Sequence, residues 1–347
     1  MICIACSSAM AAAAPKYSAK VPSEIITPNH VTSEYLGEMN YIDGAPTEET
    51  YSKTRDFVDT ANAVRLFLSG IPTASIQGLL VGHESIGMKP NQTIAISEGM
   101  LTAESIWLTA NTTTPYVSSE IDVKDGPVVL EVGTPVLGLI DNAAFKFTGR
   151  VGLPHPKDQG KGGKYFVYHS SYEGEVPEGH IRIETIGYQH WLLLRIVGNK
   201  ADVPKNVQAL KDTMKLYPYD RPDQQTEFIN ITGIKYNTVH AMNEKFFDEI
   251  NALVQYEPTA LWNEEWLGIA KDLGIEKGVA FKPDARMQRI LKEAAKIATA
   301  EARGANFYPT EKVRVYDNRQ WFTPVSYTHL TLPTTRQRCR SGWWACH

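Results

Sequence analysis

Apolar positions along the chain change spacing three times. Thr47 precedes Glu48 and Glu49, a hydroxyl followed by carboxylates that suits the positive end of a helix. Tyr51, Val58, Ala61, Val64 and Leu68 then recur near helical spacing until Gly70. A second short helix is expected after Pro72, with Ile76, Leu79, Leu80 and His83 in its pattern. From about residue 94 to 198 the spacing shortens to strand-like runs. These are Pro127–Val132, Val136–Ile140, Ala143–Thr148, Lys164–His169, Ile181–Ile186 and His190–Val197, parted by Gly, Pro, Asp and Asn. Short strands with such turns predict an antiparallel sandwich or barrel, and no strand–helix alternation supports a doubly wound nucleotide fold.

Helical spacing returns over Val203–Tyr217. It returns again around Phe246, Phe247, Ile250, Leu253 and Val254, and Pro258 is placed to start the next helix. The clearest stripe is the last. Pro283 and Asp284 open it, Met287, Ile290, Leu291, Ala294, Ile297 and Ala298 form one apolar face, and Gly304 closes it. Residues 12 to 45 are mostly polar and read as an extended arm.

Composition narrows the function classes. Of 347 residues 43% are hydrophobic and 21% charged, values of a globular chain. Net charge is −4 with no basic block, so nucleic acid is not the expected partner. No apolar run reaches the length of a membrane span beyond the N-terminus. The four cysteines, Cys3, Cys6, Cys339 and Cys346, stand at the ends, which leaves the body without a thiol nucleophile, a Cys-ligated zinc or a disulfide. No H-x-H or H-E-x-x-H occurs, and no metal or other cofactor is expected. Residues 1 to 11 are uncharged, and Ala9-Met10-Ala11 fits a signal peptidase site, so they are read as a signal peptide. Residues 326 to 347 hold three Arg, two Trp and no acid, follow no period, and are read as a sequencing artefact.

Four places carry candidate chemistry. Gly160–Lys164 suggests a phosphate loop, but Tyr165 stands where Ser or Thr is needed and a strand follows, so a glycine-rich turn is the expectation. Asn111 to Tyr116 is a polar patch that either shapes a turn or contacts a ligand through Asn111, Thr113 and Tyr116. Beyond it Tyr116, Ser118, Glu120 and Asp122 share one strand face, expected to meet solvent or a wet cavity. In His190–Val197, Trp191 and Arg195 share a face of a strand that is apolar on both sides. A buried guanidinium there needs Glu131, Asp141 or Glu184 as an internal partner, or an anionic or polar ligand. Glu120, Asp141 and His169 are the acid–base candidates, although for His169 a satisfied core or rim histidine is the favoured reading.

As a set these blocks resemble domain-of-unknown-function family 1254. The resemblance is carried by Asn111 through Tyr116, Asp125-Gly126-Pro127-Val128-Val129-Leu130-Glu131-Val132, Gly138-Leu139-Ile140-Asp141, Gly160–Lys164, and Trp191 with Arg195. Later blocks extend it, among them Asn237-Thr238-Val239-His240, Val254-Gln255-Tyr256-Glu257-Pro258 and Pro283-Asp284-Ala285-Arg286-Met287. Such proteins continue into a second β domain of family 1214, of which residues 306–325 resemble only the opening. The resemblance implies an exported, periplasmic or secreted bacterial protein that forms homo-oligomers, and it brings no assigned catalytic residue. The expected fold class is α+β, an antiparallel jelly-roll-like β-sandwich with flanking N-terminal helices and a C-terminal helical module. Its expected division is a sandwich domain over 22–220 and a helical linker over 227–305. The expected function is binding of a small polar, anionic or carbohydrate-like ligand. A metal-independent hydrolase or lyase and an oligomeric envelope scaffold are the alternatives.

Overall fold

The computed structural model describes residues 21–102, 104–108, 110–153 and 157–308. The signal-peptide segment 1–11 and the tail 326–347 lie outside them, as does the expected second-domain opening from residue 309 on. The chain forms two compact units that meet in sequence at Val58 and Asp59.

In the first unit the expected extended arm is a three-stranded antiparallel sheet, β1 (His30–Ser33), β2 (Gly37–Ile42) and β3 (Ala45–Pro46). Asp43 and Gly44 join β2 to β3 with φ of 51° and 82°, the left-handed pair that a two-residue hairpin turn requires. The Thr47 hydroxyl accepts the Thr50 N–H at 3.3 Å and caps the first turn of α1 (Glu48–Ser85), as its sequence predicts.

α1 corrects the expectation of two helices, because it runs unbroken through Gly70 and Pro72. Pro72 has no N–H to donate, a defect that costs about 3 kcal/mol in a helix interior. Burial offsets it: Leu66, Phe67, Ile71, Ala74, Ile76 and Leu79 are all at most 2% exposed. This helix is long and apolar enough to span a membrane by length and composition, yet most of its apolar window is buried in the protein's own core. Gly70, Gly78 and Gly82, with Ala74 between them, form a row every four residues. A Cβ at Gly70 would lie 2.9 Å from Ile250 Cδ1, at Gly78 2.8 Å from the His240 nitrogen, and at Gly82 2.5 Å from the Asn237 oxygen. The row therefore lets residues 237–250 lie directly on the helix.

Ten further strands follow: β4 (Thr93–Ile96), β5 (Tyr116–Asp122), β6 (Val128–Val132), β7 (Val136–Asn142), β8 (Phe147–Gly152), β9 (Gly163–His169), β10 (His180–Thr185), β11 (Gln189–Ile196), then, after α2 (Val203–Thr213), β12 (Lys215–Pro218) and β13 (Glu227–Asn230). They make a six-stranded sheet ordered β13-β4-β5-β11-β7-β8 and a four-stranded sheet ordered β10-β9-β6-β12. The pairing is antiparallel except at two edges, where β13 runs parallel to β4 and β10 parallel to β9, so the expectation of a purely antiparallel sandwich is corrected there. Neither sheet closes into a barrel. One apolar cluster joins Ile94, Val117, Ile140, Leu192 and Leu194 of the larger sheet to Val128, Leu130, Tyr165, Val167 and Ile183 of the smaller.

Local corrections have local causes. The helix expected to reach Tyr217 stops at Thr213, because Leu216 and Tyr217 pair with Leu130 and Val129 of β6. The strand expected over Ala143–Thr148 begins only at Phe147. Asn142 Oδ1 accepts the N–H groups of Ala144 and Lys146 at 3.1 Å each, and the turn it holds puts Phe145 at φ 57°. Residues 227–230 complete the larger sheet rather than opening a helix.

α3 (Lys245–Tyr256), α4 (Glu264–Asp272) and α5 (Ala285–Phe307) pack on α1 in a second apolar cluster. Phe67 stacks on Phe246 at 3.8 Å between ring centres. Asn263 caps α4 through the Trp266 N–H at 2.8 Å, and Asp284 caps α5 through the Met287 N–H at 2.7 Å. α5 continues to Phe307, past the expected start of the next module at residue 306.

Candidate functional site

β11 organises every candidate residue but His169. It pairs with β5 on one side and β7 on the other, which sets Trp191 between Glu120 and Asp141, and Arg195 opposite Tyr116. Leu192, Leu194 and Ile196 point between the sheets, while Trp191, Leu193 and Arg195 share the opposite face. The face of β5 that carries Tyr116, Ser118 and Glu120, expected to meet solvent or a wet cavity, is buried rather than open to solvent, because the last turns of α1 meet it through His83.

At the middle of β11 the Trp191 indole N–H donates to Ser118 Oγ at 2.8 Å, and Ser118 Oγ lies 2.9 Å from His83 Nε2. Indole nitrogen only donates, so the Ser118 hydroxyl oxygen accepts from Trp191, and it shares a second hydrogen bond with His83 Nε2 whose direction follows the imidazole tautomer. His83 Nδ1 has no partner among the described residues. Burial pushes the His83 imidazole down to about 4, so it stays neutral. Phe145 meets Trp191 edge-on at 5.7 Å.

At the N-terminal end, carboxylates meet N–H groups. Glu257 accepts the backbone N–H of Tyr188 at 2.6 Å and of Gln189 at 2.8 Å, and the Gln189 amide donates to Glu120 Oε1 at 3.0 Å. Burial, then the Asp122 charge, pushes Glu120 up to about 7 against the Gln189 hydrogen bond. Burial raises Glu257 to about 7 as well, opposed by its two backbone donors. The Tyr256 hydroxyl donates to Asp122 Oδ2. The Lys124 ammonium lies 3.8 Å from the Tyr256 ring centre and 5.8 Å from that of Tyr188. His169 stacks near Tyr188 at 5.0 Å, but its two nitrogens meet Ser171 Oγ and the Ile186 carbonyl of its own surroundings.

At the C-terminal end, the Tyr116 hydroxyl receives the Asn111 backbone N–H at 3.2 Å and its side-chain amide at 2.6 Å. Asn111 Oδ1 in turn accepts the backbone N–H and hydroxyl of Thr113 at 2.9 and 3.0 Å. Trp107 packs on Tyr116 at 5.5 Å and donates its indole N–H to Tyr236. The Arg195 guanidinium lies 5.6 Å from the Tyr116 ring centre.

The structure thus brings Asn111, Thr113, Tyr116 and Arg195 together and keeps Trp191 apart, four residues and about 13 Å back along the strand. Arg195 is half-buried rather than buried, and among the described residues no carboxylate or carbonyl bonds it. Two of its expected partners are engaged elsewhere, Glu131 with Lys164 and Tyr217, and Glu184 with Tyr168. Glu120 and Asp141 are both buried and stand on opposite sides of Trp191. The Gly160–Lys164 turn is anchored by Asp158, whose carboxylate accepts the N–H of Gly160 at 2.7 Å and of Gly152 at 3.1 Å. A carboxylate of the chain already holds the amide that a phosphate would need. Among the described residues no three His, Cys, Asp or Glu side chains are placed to hold a metal ion.

Sequence reasoning missed Tyr188 and Gln189; it placed Ser118 only on a polar strand face and Tyr256 and Glu257 only in a block of resemblance, with no role at the site. His83 was visible as a polar residue at an apolar position of α1, but its partner on β5 was not.

Comparison with known proteins agrees with this layout. The chain is similar to the crystal structure of the VPA0106 protein from Vibrio parahaemolyticus, a structural genomics target, with a TM-score of 0.54 at 13% identity over 82% of this chain and 68% of that one. That likeness concerns the fold alone. No curated protein sequence matches. Residues 90–218, from just before β4 to the end of β12, match the family model described as protein of unknown function (DUF1254). The matched span holds every strand of the two large sheets except β13.

Proposed function

We propose that this domain binds a small anionic ligand, a carboxylate-bearing sugar acid or similar polar acid, at the C-terminal end of β11. One observation carries it: the half-buried Arg195 guanidinium is packed on Tyr116 and has no protein acceptor among the described residues. Guanidinium offers five donors in a planar fork that matches a carboxylate. Asn111 and Thr113 fix the Tyr116 hydroxyl beside it and supply further polar contacts. Export and self-association of a jelly-roll-like sandwich belong to the same proposal, supported by the uncharged segment 1–11 and by exposed Tyr35, Ile42 and Tyr51 in the first unit. The test is thermal unfolding against sugar acids, simple carboxylates, sulfate and neutral sugars. A saturable rise with the acids is expected, its size set by concentration over dissociation constant. Arg195→Met removes that rise and leaves the unliganded midpoint in place. An undiminished rise in the variant would overturn the proposal.

Acid–base catalysis is the second possibility, favoured by the buried Glu120 carboxyl held at about 7, where a side chain both gives and takes protons. Neither Asp141 nor His169 joins it, so Glu120 would act with Gln189 and the ligand alone. Any turnover found should lose roughly 100-fold or more in Glu120→Gln. Unchanged turnover in that variant would exclude the role.

A further inference from the structure

We infer that Tyr188 and Tyr256, at the other end of β11, form a cage for an organic ammonium group, and that Lys124 fills it from within the chain. The two rings stand at 89° to one another with centres 6.3 Å apart, the two walls of a corner. The Lys124 ammonium lies within about 6 Å of both ring centres, the reach of a cation–π contact. Among the described residues that ammonium makes no hydrogen bond and no ion pair, although the Asp122 carboxylate is engaged with the Tyr256 hydroxyl close by. The rings, not a carboxylate, hold the cation.

Both walls are built to stay. The Tyr256 hydroxyl is fixed on Asp122, and donation to a carboxylate makes the ring a better partner for positive charge. The Tyr188 backbone is pinned by Glu257 at 2.6 Å, and the His169 ring backs it at 5.0 Å. Asp122 and Asp125 set negative charge near Tyr256. Lys277 is another cation nearby. It bonds the Gln255 and Glu257 carbonyls at 2.9 and 2.7 Å, and Lys124 acts on it as a repelling charge. Lys124 itself is exposed on the turn between β5 and β6, while both tyrosines are partly open, so the cation can be exchanged without unpacking the core.

The corner suits a quaternary ammonium best. Such a group donates no hydrogen bonds and loses less on leaving water than a lysine ammonium does, so rings alone can satisfy it. The inference is independent of ligand binding at Arg195, which lies seven residues from Tyr188 and about 23 Å away along the chain.

The test compares choline with 3,3-dimethylbutan-1-ol, its uncharged counterpart of the same shape, by calorimetric titration of the full chain. Lys124→Ser should bind choline at least tenfold tighter than the parent, and the alcohol should not bind either. Adding Tyr256→Leu or, separately, Tyr188→Leu to Lys124→Ser should abolish choline binding, with circular dichroism confirming that each variant is folded. Tyr188→Leu keeps the test intact if loss of Tyr256 prevents folding. No gain in Lys124→Ser, equal binding of the alcohol, or retention of binding in a folded tyrosine variant would each overturn the inference.

Discussion

The two ends of β11 handle charge in opposite ways. At Gln189 the neighbouring acids are buried and supplied with donors: Glu257 takes two backbone N–H groups and Glu120 takes the Gln189 amide. At Arg195 the charge is half-open and rests on an aromatic face with no acceptor among the described residues. A buried polar group left without its partner costs more than a paired one contributes, so the first end is costly to disturb. The second end is cheap to disturb, since water serves the guanidinium there. The contrast separates residues that hold the sheet from a residue that is available to something else.

The sharpest way to break the contrast is to remove the strand's centre. Trp191→Ala takes a fully buried ring from between the two ends and strips Ser118 of its donor, and a loss of about 3–5 kcal/mol in urea unfolding is expected. Glu257→Leu comes next: it leaves the Tyr188 and Gln189 N–H groups unpaired and should cost about 2–3 kcal/mol.

A pH series separates the acids from the buried histidines. Glu120 and Glu257 are raised from 4.5 to about 7, so their contribution is full below pH 4.5 and is lost as pH rises through 7. His83 and His190 are lowered from 6.5 to about 4, so theirs is present above pH 6.5 and is lost as pH falls through 4. The two slopes oppose each other in the overlapping window. Glu120→Gln keeps a neutral group permanently and unmasks the histidine slope. Between pH 6.5 and 4.5 the variant should lose stability relative to the parent by on the order of 2 kcal/mol, measured by urea unfolding at each pH.

The smallest effect is at the open end. Arg195→Met should change unliganded stability by no more than about 0.5 kcal/mol. A cost as large as that of Glu257→Leu would mean that Arg195 is structural too, and the contrast between the ends would collapse.

What the sequence made legible follows from the range of the forces involved. β6, β9, β10 and β11 were readable because alternation and turn residues are local, and the α5 start was readable because Asp284 announces it three residues before Met287. Gly70 and Pro72 misled because the segment that covers them, residues 237–250, is remote in sequence. β12 and β13 are four residues each, too short for a period, and exist through pairing with β6 and β4. The grouping of Asn111, Thr113 and Tyr116 was visible as a local patch, but Arg195 joins it only through the β5–β11 register. Tyr256 and Glu257 reach the other end from α3 and its exit, which no window on β11 contains.

The glycine row on α1 also sets a clock. Three glycines and a proline make its inner half a poor helix by itself, and that half is stable only once residues 237–250 lie on it. Those residues leave the ribosome roughly 170 positions later, a delay of roughly ten to thirty seconds at ordinary elongation speed. Through that interval the most apolar stretch of the chain is without its cover. The packing of α1 is thus completed late in synthesis, by a segment far along the chain.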